Sequence, residues 1–217
     1  MYILEDPNEN YKNIPTGNYD IPLILASKQY DSNGAVLPPT SEGDTTEVNG
    51  QLWPFLDVEP RKYRFRILNA AATRTFLLQL YVGNTTTNAI PFNVIASDSG
   101  YMERPVETSE LKIGMAERWE IIVDFKDYAG KRIRIRDAAN LTSETLGQVM
   151  EFVVGRHARD DANDGPIPDS LRSITFPTQP SSSAKTFIFA LTKYVLLPMI
   201  LENNMTNPFQ WCLHYQR

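Results

Sequence analysis

Residues 48–69 read VNGQLWPFLDVEPRKYRFRILN, and the order of the parts in this stretch decides the fold. Asn49-Gly50 lies between Val48 and Leu52-Trp53. Both central residues tolerate positive φ, so the pair predicts a two-residue hairpin turn. Pro54 and Pro60 bound the next segment, and neither can donate a ladder hydrogen bond. From Lys62 the chain alternates, with Tyr63, Phe65 and Ile67 on one side and Lys62, Arg64 and Arg66 on the other. A period of two with a charged outer face predicts a strand at the surface of a two-layer protein.

Working outward, residues 21–27 form an apolar run suited to a strand buried on both faces, with Pro22 placing its start at an edge or a first position. Residues 30–43 are rich in Ser, Gly, Pro and Asp and read as loop. Further strands are expected at 75–82, 92–96, 111–113, 119–125, 132–136 and 149–154. The run RIRIR at 132–136 alternates strictly, as a half-buried strand does. Strands recur at short spacing and no helical period survives beyond a turn or two. The fold class expected is therefore all-β, an antiparallel sandwich over residues 17–154.

The composition is that of a soluble globular protein: 217 residues, 42% apolar and 22% charged. A net charge of −5 argues against a nucleic-acid or anionic-membrane partner. The basic runs 61–66 and 131–136 interleave with apolar residues and read as solvated strand faces. One cysteine, Cys212, excludes an internal disulfide and a cysteine-rich metal cluster. Asn84-Thr85-Thr86, Asn140-Leu141-Thr142 and Asn204-Met205-Thr206 are N-glycosylation triplets, which suit a secreted product. The first residues, MYILEDPNENY, carry neither a basic start nor an apolar core, so no signal peptide is visible; a signal would belong to a longer chain.

Val48-Asn49-Gly50-Gln51, Trp53-Pro54 and the run VEPRKYRFR at 58–66 resemble the second cupredoxin domain of multicopper oxidases, in the bilirubin oxidase and spore-coat laccase branch. Leu68-Asn69-Ala70 belongs to the same match. Tyr19-Asp20-Ile21-Pro22-Leu23 resembles the strand that opens that domain. Ile95-Ala96-Ser97-Asp98-Ser99-Gly100 with Arg104-Pro105-Val106 resembles a buried turn of the family. Gly114, Glu117-Arg118 and Val123-Asp124-Phe125 resemble its Gly-x-x-Glu-Arg-x-x-x-x-Val-Asp-Phe segment. The resemblance runs from about residue 1 to about 177. It implies a cupredoxin-like Greek-key sandwich at 16–155, preceded at 1–15 by the last strand of a first domain. It also implies an inter-domain linker at 156–180. Residues 185–189 would open a third domain, and the rest of 181–217 reads as a divergent, irregular tail.

The family's copper centres need two His and a Cys in the third domain and four His-x-His motifs shared by the first and third. Imidazole and thiolate suit copper, and strand alternation points two ligands one way. This chain has two histidines, His157 and His214, and no His-x-His. Cys212-Leu213-His214 lacks the flanking histidines of the family's blue-copper motif and reads as incidental; His157 reads as a loop histidine. Asp161-Ala162-Asn163-Asp164-Gly165 has its Gly at position five and no terminal Glu, so it is a solvated loop rather than a calcium loop. Asp98 and Glu103 could pose as an acid–base pair, but the matching turn in the family is structural. No catalytic, cofactor-binding or metal residue is therefore assigned, and no cofactor is expected in this chain, although the full-length family carries copper. The function expected is the architectural middle piece of a laccase-like oxidoreductase, inactive alone, whose partners are flanking cupredoxin domains. The alternatives are a free-standing sandwich that binds a protein or glycan, and a metal-free enzyme of another type.

Overall fold

In the computed structural model, Asn49 and Gly50 adopt φ of 51° and 79°, the two positive values that a type I′ turn needs. They close the hairpin between β2 (Thr45–Val48) and β3 (Gln51–Leu52), with Val48 opposite Gln51. The Asn49 side chain also ties this corner to β1 (Asp20–Lys28). Its Oδ1 accepts from the Ile24 amide at 2.8 Å, and its Nδ2 donates to the Pro22 carbonyl at 3.0 Å. Pro22 lies before the β1–β2 register begins at Leu25, so on that side no ladder bond asks for its missing N–H. The residues described are 13–38, 43–159 and 164–175, with the backbone of two further strands at 187–191 and 196–200.

The remaining strands of the sandwich are β4 (Phe55–Val58), β5 (Lys62–Asn69), β6 (Phe76–Val82), β7 (Phe92–Ser97), β8 (Gly100–Thr108), β9 (Leu111–Ile113), β10 (Arg118–Asp124), β11 (Arg132–Asp137) and β12 (Gln148–Val154). One sheet runs β3-β2-β1-β5-β10-β7-β8 and the other β4-β12-β11-β6-β9. Most neighbours are antiparallel, but β1 lies parallel to β5 and β4 parallel to β12. The two sheets are thus mixed, not purely antiparallel. A parallel neighbour needs a long crossover, and the chain supplies one at 29–61 and another at 59–147.

The core lies between the sheets. Tyr63, Phe65 and Ile67 of β5 point into it, as their alternation predicts, and meet Phe76, Leu78, Ile133, Ile135 and Phe152 from the other layer. Phe65 and Phe152 have ring centroids 4.9 Å apart, and Phe125 closes on Phe152 at 5.1 Å. Burying one such ring is worth about 1.5–3 kcal/mol. β11 alternates as read, with Ile133 and Ile135 buried and Arg132 exposed. β1 differs: Leu23 and Leu25 are buried, while Pro22 on its other face is exposed.

Two further expectations are corrected. The stretch read as a buried turn is a hairpin, in which Ser97 pairs with Gly100 and the mostly exposed edge strand β8 follows. Its polar side chains and Pro105 carry no period of two, because an edge strand packs little and needs ladder bonds on one side only. The run 61–66 is not a solvated face: Arg61 is 0% exposed, Arg64 4% and Arg66 7%. That face of the first sheet carries a second small core of Ile14, Ile95, Ile122 and Leu171, flanked by Tyr101 and Ile167. Much of the stretch read as linker lies over it. The Leu171 amide donates to the Glu103 carbonyl at 2.9 Å, and the Lys62 amide to Asp164 Oδ1 at 2.9 Å. Gly165 packs closely there: a Cβ would come within 2.6 Å of Asn13 Oδ1, and that side chain would have to shift.

The chain divides into two units, Met1–Ile174 and Thr175–Arg217. In the second, β13 (Phe187–Leu191) pairs antiparallel with β14 (Leu196–Ile200), Phe187 opposite Ile200. The strand expected near 185–189 is therefore present and, against expectation, has a partner in a tail read as irregular. Pro198 does not prevent the pairing, because each strand of a two-stranded ribbon keeps one side free. Of residues 1–15, expected to hold the last strand of a first domain, 1–12 lie outside the described residues.

Candidate functional site

Among the described residues, charged side chains pair at several surface positions, and two of the gatherings are internal. On the outer face of the first sheet, β5 is flanked by β1 and β10, which sets Asp20 beside Arg64 and Glu120 beside Arg66. Arg64 Nε and Nη2 donate to Glu120 Oε2 at 2.9 and 2.5 Å, and Nη2 also reaches the Tyr101 hydroxyl at 2.7 Å. Arg66 forks onto Asp20, with Nε–Oδ1 and Nη2–Oδ2 both at 2.8 Å, and donates to Glu120 Oε1 at 2.9 Å. Burial alone would lower the Arg66 pKa, but the Asp20 and Glu120 carboxylates outweigh it and push it up. The group stays a cation, so it offers no proton to chemistry.

The second gathering is between the layers. Arg74 Nη2 donates to Asp137 Oδ2 at 2.5 Å and to the Leu146 carbonyl at 2.7 Å, while Nη1 reaches Thr46 Oγ1 at 3.2 Å. Asp137 is 0% exposed and also accepts from the Leu77 amide, the Ala139 amide and Asn140 Nδ2. A carboxylate with this many donors is a structural joint between β6, β11 and the 138–147 loop. Neither residue was singled out in the sequence. A lone Arg after a strand and an Asp ending one carry no pattern.

The exposed surface is apolar at one corner. Leu52, Trp53 and Phe55 follow the hairpin where the chain passes from one sheet to the other, and Phe55 is 67% exposed. Trp53 is held by its indole N–H, which donates to the Thr145 carbonyl at 3.2 Å. A cavity of about 220 Å³ opens beside them, lined by Trp53, Phe55, Arg134, Arg136 and Met150. A larger polar one, about 610 Å³, lies between β7, β8 and residues 167–170.

The candidates named from sequence are not brought together. His157 is exposed in the loop after β12. Asp98 accepts from the Arg118 amide at 2.8 Å and pairs with its Nε at 3.1 Å, while Glu103 is exposed on β8. Asp164 is engaged by Lys62, and residues 161–163 of the run read as a solvated loop lie outside the described residues. Cys212, His214 and Asn204 also lie outside them. Among the described residues no cluster of three or more His, Cys, Asp or Glu could hold a metal ion. Among the described residues His157 is the one imidazole and has no thiolate or second imidazole beside it, whereas a copper centre takes convergent donors of those kinds.

No protein-family model matches the chain. It is 42% identical over 210 residues to a bilirubin oxidase of Albifimbria verrucaria, covering 88% of this chain and 36% of that protein. It is 34% identical to a laccase of Bacillus stratosphericus, covering 95% of this chain and 44% of that protein. The chain thus spans less than half the length of these relatives. Among solved structures, the McoA multicopper oxidase of Aquifex aeolicus superposes with a TM-score of 0.71 at 29% identity, over 87% of this chain and 42% of that one. A laccase-like multicopper oxidase, CueO from Ochrobactrum sp., gives 0.64 at 26% identity. The fold is accordingly a cupredoxin-like β-sandwich, and the chain belongs to the multicopper oxidase family, of the bilirubin oxidase and laccase kind, matched over part of its relatives' length.

Proposed function

We propose that this chain is the architectural middle cupredoxin domain of a laccase-like copper oxidase, with no copper centre of its own and no oxidase activity alone. The observation that carries this is the donor set: a family defined by copper meets here one exposed imidazole, His157, among the described residues. Sequential one-electron oxidation coupled to four-electron reduction of dioxygen needs several metals, each with its own ligands. The chain's role is then to hold flanking cupredoxin domains in register. The exposed Leu52, Trp53 and Phe55 suit it, being the kind of apolar surface that an adjoining domain covers. Residues 16–155 form the domain in this reading and 1–15 the end of its predecessor. We place the product outside the cell when it is part of a full-length protein, and expect neither nucleic acid nor membrane as partner.

The test is metal analysis of the purified chain after dialysis against a mild chelator, beside oxygen uptake with a phenol or bilirubin and added copper. The expected outcome is no stoichiometric copper and no uptake above the protein-free rate. One tightly held copper per chain with an intense visible band, or uptake that survives purification, overturns the reading.

A further inference from the structure

Two glycosylation triplets fall on described residues, and the structure turns their amides in opposite directions. Asn84 lies in the exposed turn after β6. Its Oδ1 accepts from Arg134 Nη1, and Arg134 is itself held by Glu151 Oε2 at 2.7 Å from Nε. A guanidinium can only donate, so the Asn84 oxygen must face Arg134 and Nδ2 is turned away from it. The triplet's second hydroxyl is free for the same outcome: Thr85 Oγ1 bonds back to the Val82 carbonyl at 2.9 Å, leaving exposed Thr86 outside that turn. Asn140 is the reverse case. Its Nδ2 donates at 2.9 Å to Asp137 Oδ2, an acceptor that is wholly buried and shared with Arg74. A carboxylate can only accept, so here the nitrogen is the atom aimed inward. The Asn140 backbone is equally confined, its carbonyl lying 2.4 Å from where a Cβ on Gly147 would stand.

We propose that Asn84 is an N-glycan acceptor of this protein and that Asn140 is not. The proposal rests on passage through a eukaryotic secretory route, not on the absence of copper chemistry, so the two fail separately. In the transfer, Asn84 Nδ2 forms a bond to the anomeric carbon of a lipid-pyrophosphate-linked oligosaccharide. The bond from that carbon to the pyrophosphate oxygen breaks, the lipid pyrophosphate leaves, and Nδ2 gives up one proton. Transfer takes place on the nascent chain, so the fold acts by tolerance. A glycan on Asn84 projects into solvent and leaves the Arg134 bond in place. Glycosylation of Asn140 would leave Nδ2 one hydrogen for Asp137 but would set the sugar beside that buried carboxylate, against a confined loop, and chains carrying it do not mature.

The full chain, fused to a secretion leader and expressed in yeast with Asn204→Gln in the background, tests this. Secreted protein is treated with an endoglycosidase, and glycosylated asparagines are mapped by mass spectrometry. Expected is a single-glycan mobility shift that maps to Asn84, is lost in Asn84→Gln and persists in Asn140→Gln. Thr86→Ala removes the same triplet without touching the Asn84–Arg134 bond and should also lose the shift, which covers a misfolded Asn84→Gln. A shift that survives Thr86→Ala, a glycan mapped to Asn140 in secreted protein, or secreted protein bare at Asn84 overturns the proposal.

Discussion

Replacing Arg74 with Met should be among the most damaging single changes available in this sandwich. The methionine keeps most of the apolar stem, which lies over the Phe76 ring with the guanidinium carbon 4.6 Å from its centroid. What it removes is the one side-chain cation that pairs with Asp137 among the described residues, and the Asp137 side chain is 0% exposed. The carboxylate retains the Leu77 and Ala139 amides and Asn140 Nδ2, so it is not stripped of hydrogen bonds. It becomes a buried charge without a countercharge, and breaking a buried pair in this way costs about 3–5 kcal/mol. Set against a total stability of about 5–15 kcal/mol, that is a large fraction. With a urea m-value of about 2 kcal/mol/M, the midpoint should fall by roughly 1.5–2.5 M. Arg74→Lys keeps the charge but loses the fork that reaches Thr46, Leu146 and Asp137 together, so its midpoint should lie between the two. Equilibrium urea unfolding followed by Trp fluorescence measures this. A midpoint for Arg74→Met within roughly 0.5 M of wild type would refute the view that Asp137 depends on this partner, since on the scale of a buried pair such a loss is negligible.

Acid should destabilise the domain through two glutamates. Glu151 is pulled up by burial, but hydrogen bonds from Arg134 and Arg132 outweigh this and hold it below the usual carboxylate range; Glu117 is held low by the Gly114 amide and the Trp119 indole. Because the folded pKa is the lower one, their contribution is present above the unfolded value of about 4.3 and is lost as pH falls through the folded value. Thermal unfolding from pH 7 to pH 3 should show Glu151→Gln with a flatter acid limb than wild type; parallel limbs would count against it. Gly50→Ala meets nothing within 4 Å of the new Cβ, so only the backbone at φ 79° resists it. The cost should be about 1 kcal/mol, read as a lowered melting temperature, and an unchanged one would argue against the type I′ turn.

Much of the architecture was legible in the chain. Asn49-Gly50 forces its own turn, since few other pairs accept two positive φ values, and strands such as β5 and β11 announce themselves by which side chains alternate. The Gly-x-x-Glu spacing at 114–117 also has a local meaning: the Glu117 carboxylate accepts from the Gly114 amide at 2.8 Å, and a Cβ on Gly114 would stand 3.3 Å from that carboxyl. The scarcity of histidine and thiol is likewise a property of the sequence, because ligands are residue types before they are positions.

What needed the tertiary structure was everything that depends on what lies over a face. Alternation separates two sides of a strand but says nothing of whether the charged side meets water. Arg64 and Arg66 were read as solvated, and they are buried where Asp20 and Glu120 arrive from distant strands, 46 and 54 residues from Arg66. Ile14 and Leu171, from opposite ends of the sandwich's sequence, pack together in the small core beside them. The edge strand β8 and the pairing of β13 with β14 were hidden for a related reason, since strand pairing is a bond between distant backbones and leaves little trace in side-chain order. The same holds for Asn84 and Asn140. Their triplets are equivalent as sequence, and only a guanidinium beside one and a buried carboxylate beneath the other tell them apart.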